Sequence, residues 1–255
     1  MGVTPTQVEV RVIASSGKFL GNDIGGAEVV IRDGANGAVL ASGAVRGGSG
    51  DTAAIMNEPR IWGAPFPLDD NPSVFTATIA LSEPRLVQIT AYGPLGSISS
   101  ARRVTAQQWL VPGVDLTGDN GVVMVIPGLL VQILSPATHD SLSGPGEVQI
   151  LANVAMMCGC PIGATSPDPP ASNPWPYQNF TVQAMIYQLG SDSELIDVVT
   201  LAYTATSRFA GSWTVSDPGF YEVVVVAREN NSANTGVDRA TFFLNPPSSP
   251  PTSPP

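Results

Sequence analysis

The chain is poor in charge and almost without lysine: 13% of its 255 residues are charged, and Lys18 is its one lysine. Acidic residues number 21 against 11 basic ones, for a formal net charge of −10. No stripe of cations is available to neutralise a phosphate backbone, which excludes nucleic acid as a partner. Nor does any apolar run reach the roughly 18 residues of a membrane-crossing helix. The strongest run, Val122-Val123-Met124-Val125-Ile126, stops at Pro127-Gly128 and is the length of a strand. Phosphate-cradling glycine loops, the Rossmann glycine signature and the Gly-x-Ser-x-Gly elbow of serine hydrolases are all missing. Histidine occurs once and cysteine twice. A zinc ribbon needs a second cysteine pair, and a blue-copper centre needs a second histidine. Cys158 and Cys160, two residues apart, are too close in sequence to be the two-sheet bridge of an antibody domain. These absences weigh against an enzyme.

Glycine and proline are what the chain has in quantity, at 26 and 24 residues, with 43% of the sequence hydrophobic. That balance suits short strands joined by many turns and disfavours long helices. A chain of 255 residues is long enough for two cores of ordinary size. Val8 to Ile13 alternates as V-E-V-R-V-I, the period of a strand with one polar face. Comparable runs follow at Ala27 to Arg32, Ala38 to Ala41, Val74 to Leu81 and Leu86 to Tyr92, separated by turn-forming segments such as Asp33-Gly34-Ala35-Asn36-Gly37.

The strand, Gly25-Gly26 turn, strand, Asp33-Gly34 turn, strand rhythm between Val8 and Asp51 resembles the transthyretin-like or carboxypeptidase-regulatory type of small Greek-key sandwich. The excursion from Gly43 to Pro72 is long for a compact domain. It reads either as a loop whose aromatics cover an open face or as an interaction loop displaying Trp62 and Phe66.

Seven further strands are predicted at Leu129 to Leu134, Glu147 to Val154, Phe180 to Leu189, Ile196 to Thr204, Gly211 to Val215, Tyr221 to Ala227 and Arg239 to Leu244. Their number and spacing fit an immunoglobulin-like sandwich. Asp217-Pro218-Gly219-Phe220-Tyr221 resembles the P-G-x-Y turn before a late strand in immunoglobulin-like and fibronectin-like modules. The resemblance implies that Tyr221 anchors the turn and that the valines after it fill the core. The expected fold is therefore all-β: an N-terminal sandwich over residues 1–127 that resembles the transthyretin-like type, an immunoglobulin-like or fibronectin-like sandwich over 128–245, and a Pro/Ser-rich tail or linker over 246–255 that would tie the chain to a surface or to further domains.

Met156-Met157-Cys158-Gly159-Cys160 concentrates four soft sulfur donors, with His139 as the one imidazole available. Copper or zinc coordination, a local disulfide between Cys158 and Cys160, and a pair of free buried thiols all remain open. Asp115, Asp119 and Asn120 place oxygen donors in a turn, as calcium requires, without the terminal glutamate of an EF-hand loop. The leading expectation is a noncatalytic module, secreted or in the cell envelope, that binds a protein partner or copies of itself through loops and sandwich surfaces. The alternative is a soft-metal or redox protein centred on the sulfur-rich segment.

Overall fold

A computed structural model describes residues 2–59, 61, 63–163 and 173–246. Trp62 and the proline-rich tail from 247 onward lie outside the described residues. The chain divides into two compact units, one within Met1–Leu130 together with Ala155–Cys160, the other within Val131–Val154 and Trp175–Pro255.

The first unit contains β1 (Thr4–Ala14), β2 (Glu28–Asp33), β3 (Val39–Ala44), β4 (Phe75–Leu81), β5 (Arg85–Gly93), β6 (Arg102–Leu110) and β7 (Val122–Ile126). These form two sheets, ordered β4-β1-β7 and β3-β2-β5-β6. All pairings are antiparallel except β1 with β7, which runs parallel from Val10↔Val122 to Ala14↔Ile126. Period-2 alternation sends Val8, Val10, Val12, Val29, Ile31, Val87, Ile89 and Ala91 into a core where each is fully buried. The β2–β3 turn uses the chemistry its residues offer: Asp33 Oδ1 accepts the Ala35 N–H at 2.8 Å and Asn36 Oδ1 accepts that of Ala38 at 2.9 Å.

On β1 the polar alternation does not translate into an exposed face. Arg11 is 4% exposed and Ile13 is 3% exposed. The long excursion folds back over this side, where Ile13, Phe19 and Ile55 form a small apolar cluster with Met56, Phe66 and Leu68 packed against it. The buried Arg11 guanidinium is paired with the Glu9 carboxylate at 2.8 Å.

The second unit contains β8 (Leu129–Ser135), β9 (Asp140–Ser143), β10 (Gly146–Met156), β11 (Phe180–Leu189), β12 (Glu194–Thr200), β13 (Ala202–Ala205), β14 (Arg208–Val215), β15 (Gly219–Glu229) and β16 (Thr235–Asn245). The sheets are ordered β13-β14-β10-β8 and β12-β11-β15-β16-β9. Taken in chain order, these are the A-B-E-D sheet and the G-F-C sheet, extended by C′ at one edge and by the short β9 at the other, of an immunoglobulin-type sandwich. Tyr221 forms the expected corner: its hydroxyl donates to the Asp217 carbonyl at 2.7 Å while its ring, 1% exposed, packs on Trp213 and Phe242. Burial raises its phenol pKa, with the Asp217 charge adding to the effect. Two residues on, where antibody domains place their second cysteine, stands the fully buried Val223.

Candidate functional site

The sulfur-rich segment is the tip of a tight reversal at the end of β10. Gly159 N–H donates to the Met156 carbonyl at 2.8 Å, and Met156 N–H donates to the Cys160 carbonyl at 3.0 Å. The chain closes this tightly because Gly159 adopts φ +78°, the left-handed region that glycine enters without penalty. Both cysteines are free thiols. Cys158 is fully buried and Cys160 is 7% exposed, while the side chains of Met156 and Met157 are fully buried.

The reversal lies in the first unit against the turn after β1. A Cβ added to Gly17 would sit 3.2 Å from Cys158 Sγ, so the sulfur packs directly on the Gly17 backbone. The Cys160 side chain next to it pulls the Cys158 pKa below the usual thiol range, against the opposing effect of burial. The Cys158 side chain, together with burial, pushes the Cys160 thiol upward.

His139 belongs to the second unit, in the turn between β8 and β9 at φ +67°. Its Nδ1 lies 3.2 Å from Thr241 Oγ1, and its backbone N–H donates to the Thr241 carbonyl. Among the described residues no three His, Cys, Asp or Glu side chains are grouped closely enough to hold a metal ion.

The acidic turn is occupied by protein contacts. Asp115 Oδ1 accepts the Gln7 N–H at 2.8 Å, and the Gly118 N–H donates to Glu9 Oε2 at 2.8 Å. Arg11 donates to the Gly118 carbonyl at 3.2 Å, placing a fixed positive charge beside the turn. Asp119 and Asn120 are exposed in the short helical turn Gly118–Asn120. Calcium at this turn would compete with the arginine. Phe66 makes an edge contact with Phe19 at 5.7 Å between ring centroids, which fits the covering role for the excursion.

Sequence reasoning did not single out the outer face of the β2-β5-β6 sheet. A shallow cavity of about 380 Å³ lies there, lined by Glu28, Arg32, Gln88, Thr90, Tyr92 and Arg103 among others, with Arg103 5.5 Å above the Tyr92 ring. The signal was weak because β6 alternates polar and small residues, and only the Tyr92↔Arg103 register brings ring and guanidinium together.

No protein-family model and no curated protein matches this chain. Among solved structures, the fibronectin(III)-like modules of Clostridium thermocellum CbhA are 15% identical, with a TM-score of 0.29 over 94% of this chain and 93% of that one. The first two immunoglobulin domains of DIP-gamma are 10% identical, with a TM-score of 0.24 over 94% and 97%. An engineered protein is 17% identical with a TM-score of 0.33; the match takes in 53% of this chain and about a quarter of that one. At such low scores the assignment rests on the strand pairing itself, and by that pairing the chain has an all-β, sandwich-type fold whose second unit follows the immunoglobulin and fibronectin pattern.

Proposed function

We propose that the chain is an interaction module, secreted or in the cell envelope, that engages a protein partner or a second copy through its sandwich edges, with a transthyretin-like first domain. The strand order β4-β1-β7 over β3-β2-β5-β6 supports that description of the first domain.

The observation that carries the functional reading is β12. It is the outermost strand of a five-stranded sheet, and Leu195, Ile196 and Val198 on it are 40–46% exposed. An apolar edge of this kind presents backbone donors and acceptors to an incoming strand. Two devices restrain it. The register with β11 shifts at Ile186/Tyr187, and Asp197 Oδ1 accepts the N–H of Val198 at 2.7 Å. An antiparallel self-pairing centred on Asp197 would also set two carboxylates opposite each other. The edge is thus open to a strand bearing a cation at that position and closed to casual self-association.

Sedimentation velocity of the full chain over a concentration series tests this. Asp197→Asn is expected to tighten self-association by about 5- to 10-fold, the effect of roughly 1 kcal/mol of like-charge repulsion removed. A variant that sediments as the wild type does at every concentration would remove β12 as a pairing surface, and the proposal with it.

A further inference from the structure

We propose that the hollow on the outer face of β2, β5 and β6 binds an acidic sugar, a pyranose unit carrying one carboxylate. This goes beyond the interaction reading and does not depend on it.

The strand register builds the site in rows. Glu28 stands opposite Tyr92 and Tyr92 opposite Arg103, so a carboxylate and a guanidinium flank one aromatic ring across three strands. The next row is Val30, Thr90 and Thr105, with the two threonine hydroxyls 3.3 Å apart, and a third sets Arg32 beside Gln88. Strands about 4.8 Å apart and rows about 7 Å apart make a floor of roughly 10 by 14 Å, room for one or two sugar rings. The cavity over this floor, about 380 Å³, has the size of a small-ligand pocket.

The charged groups here are held in place without being used up. Arg103 lies over the Tyr92 ring, its guanidinium carbon 5.5 Å from the centroid, an attraction that fixes the group and leaves its in-plane N–H donors free. Among the described residues no hydrogen bond or ion pair engages Arg103 or Glu28 through their side chains. A fixed guanidinium with open donors is a receptor for a carboxylate.

The mixture of groups selects the ligand class. Two arginines and one glutamate leave one net positive charge in this hollow, within a chain of net charge −10, which matches one anionic group on the ligand. Bare phosphate or sulfate only accepts hydrogen bonds and would be repelled by Glu28. That carboxylate requires donors in return, while Gln88 and the two threonines both donate and accept, as ring hydroxyls do. An extended peptide reads backbone groups, and those of β2 and β5 are already paired on both sides, so recognition falls to side chains. An acidic sugar answers each requirement: its carboxylate to Arg103, its hydroxyls to Glu28, Gln88 and the threonines, its C–H face to Val30.

The test titrates the full chain with trigalacturonate, read by calorimetry and by backbone amide shifts. The fully methyl-esterified trimer and a pentaglutamate peptide separate charge from ring hydroxyls. One trimer should bind per chain and shift amides of β2, β5 and β6. Esterification and Arg103→Gln should each weaken binding by about 10-fold or more, the scale of a hydrogen bond to a charged group, and Thr105→Val by about 3- to 10-fold. Arg228→Gln, which removes a cation from the second unit, should leave binding unchanged. The esterified ligand tests the arginine contact on the unmodified protein, and the amide spectrum of each variant reports its folding. The absence of saturable binding at millimolar trimer, shifts confined to other strands, an ester or a pentaglutamate that binds as tightly as the acid, or an Arg103→Gln protein that binds as the wild type does would each overturn the proposal.

Discussion

Tyr221 shows how much one side chain can fix. Its ring is core and its hydroxyl is a strut, closing the turn that starts β15 by bonding back to Asp217. Because the folded state raises the phenol pKa, the folded protein holds that proton more tightly than the unfolded chain does. The associated stability is fully present below the unfolded value of about 10 and is lost as pH rises through the folded one. Tyr221→Phe should therefore cost about 1–2 kcal/mol at neutral pH, through the lost hydrogen bond and the Asp217 carbonyl left without it, and should flatten the alkaline loss of stability. Urea unfolding at pH 7 and again above pH 10 checks both. An equal slope in the two proteins would mean that another group governs the alkaline limb.

At the scale of elements, the tyrosine turn and most strands were legible because turn residues and period-2 patterning act locally. Phe180–Leu189, predicted from its alternation, is β11 to the residue. Three readings went differently. β6 escaped notice because RRVTAQQWL carries two apolar side chains of strand-forming weight beside Trp109, and its pairing with β5 supplies what its own pattern lacks. β9, four residues long, is held by parallel pairing to β16, a long-range contact no local pattern encodes. The predicted strand from Ile196 to Thr204 is two strands, β12 and β13, in different sheets, with the buried Leu201 at the crossing. At the candidate site, cysteine spacing announced the thiol pair. That Gly17 would face Cys158 depended on the fold.

The excursion is an element of a different kind, since its aromatics act as a cover. Phe66 packs edge-on against Phe19 over the Ile13 and Ile55 side chains. Phe66→Ala should destabilise by about 1–2 kcal/mol, less than the roughly 3–5 kcal/mol of a fully buried phenylalanine because Phe66 is only half-buried. Chemical denaturation measures this. A change of a few tenths would show that the cover contributes little to the unit beneath it.

At the scale of the whole molecule, each unit joins an early strand to its last one in parallel: β1 to β7 from Val10↔Val122 to Ala14↔Ile126, and β9 to β16 from Phe242↔Asp140 to Asn245↔Ser143. Parallel pairing of an early strand with the last one has a mechanical meaning. Tension applied at the start of β1 and the end of β7 drags the two strands along their own length, so their hydrogen bonds are loaded together in shear. An antiparallel hairpin pulled from its open end would instead unzip, its bonds breaking in succession. Single-molecule pulling along the chain should therefore meet a high, brittle resistance in each unit. A proline at Val12, within the stretch of β1 paired with β7, should lower the force of the first unit while leaving that of the second unchanged. The same parallel seams that close each sandwich would make it a link that bears load.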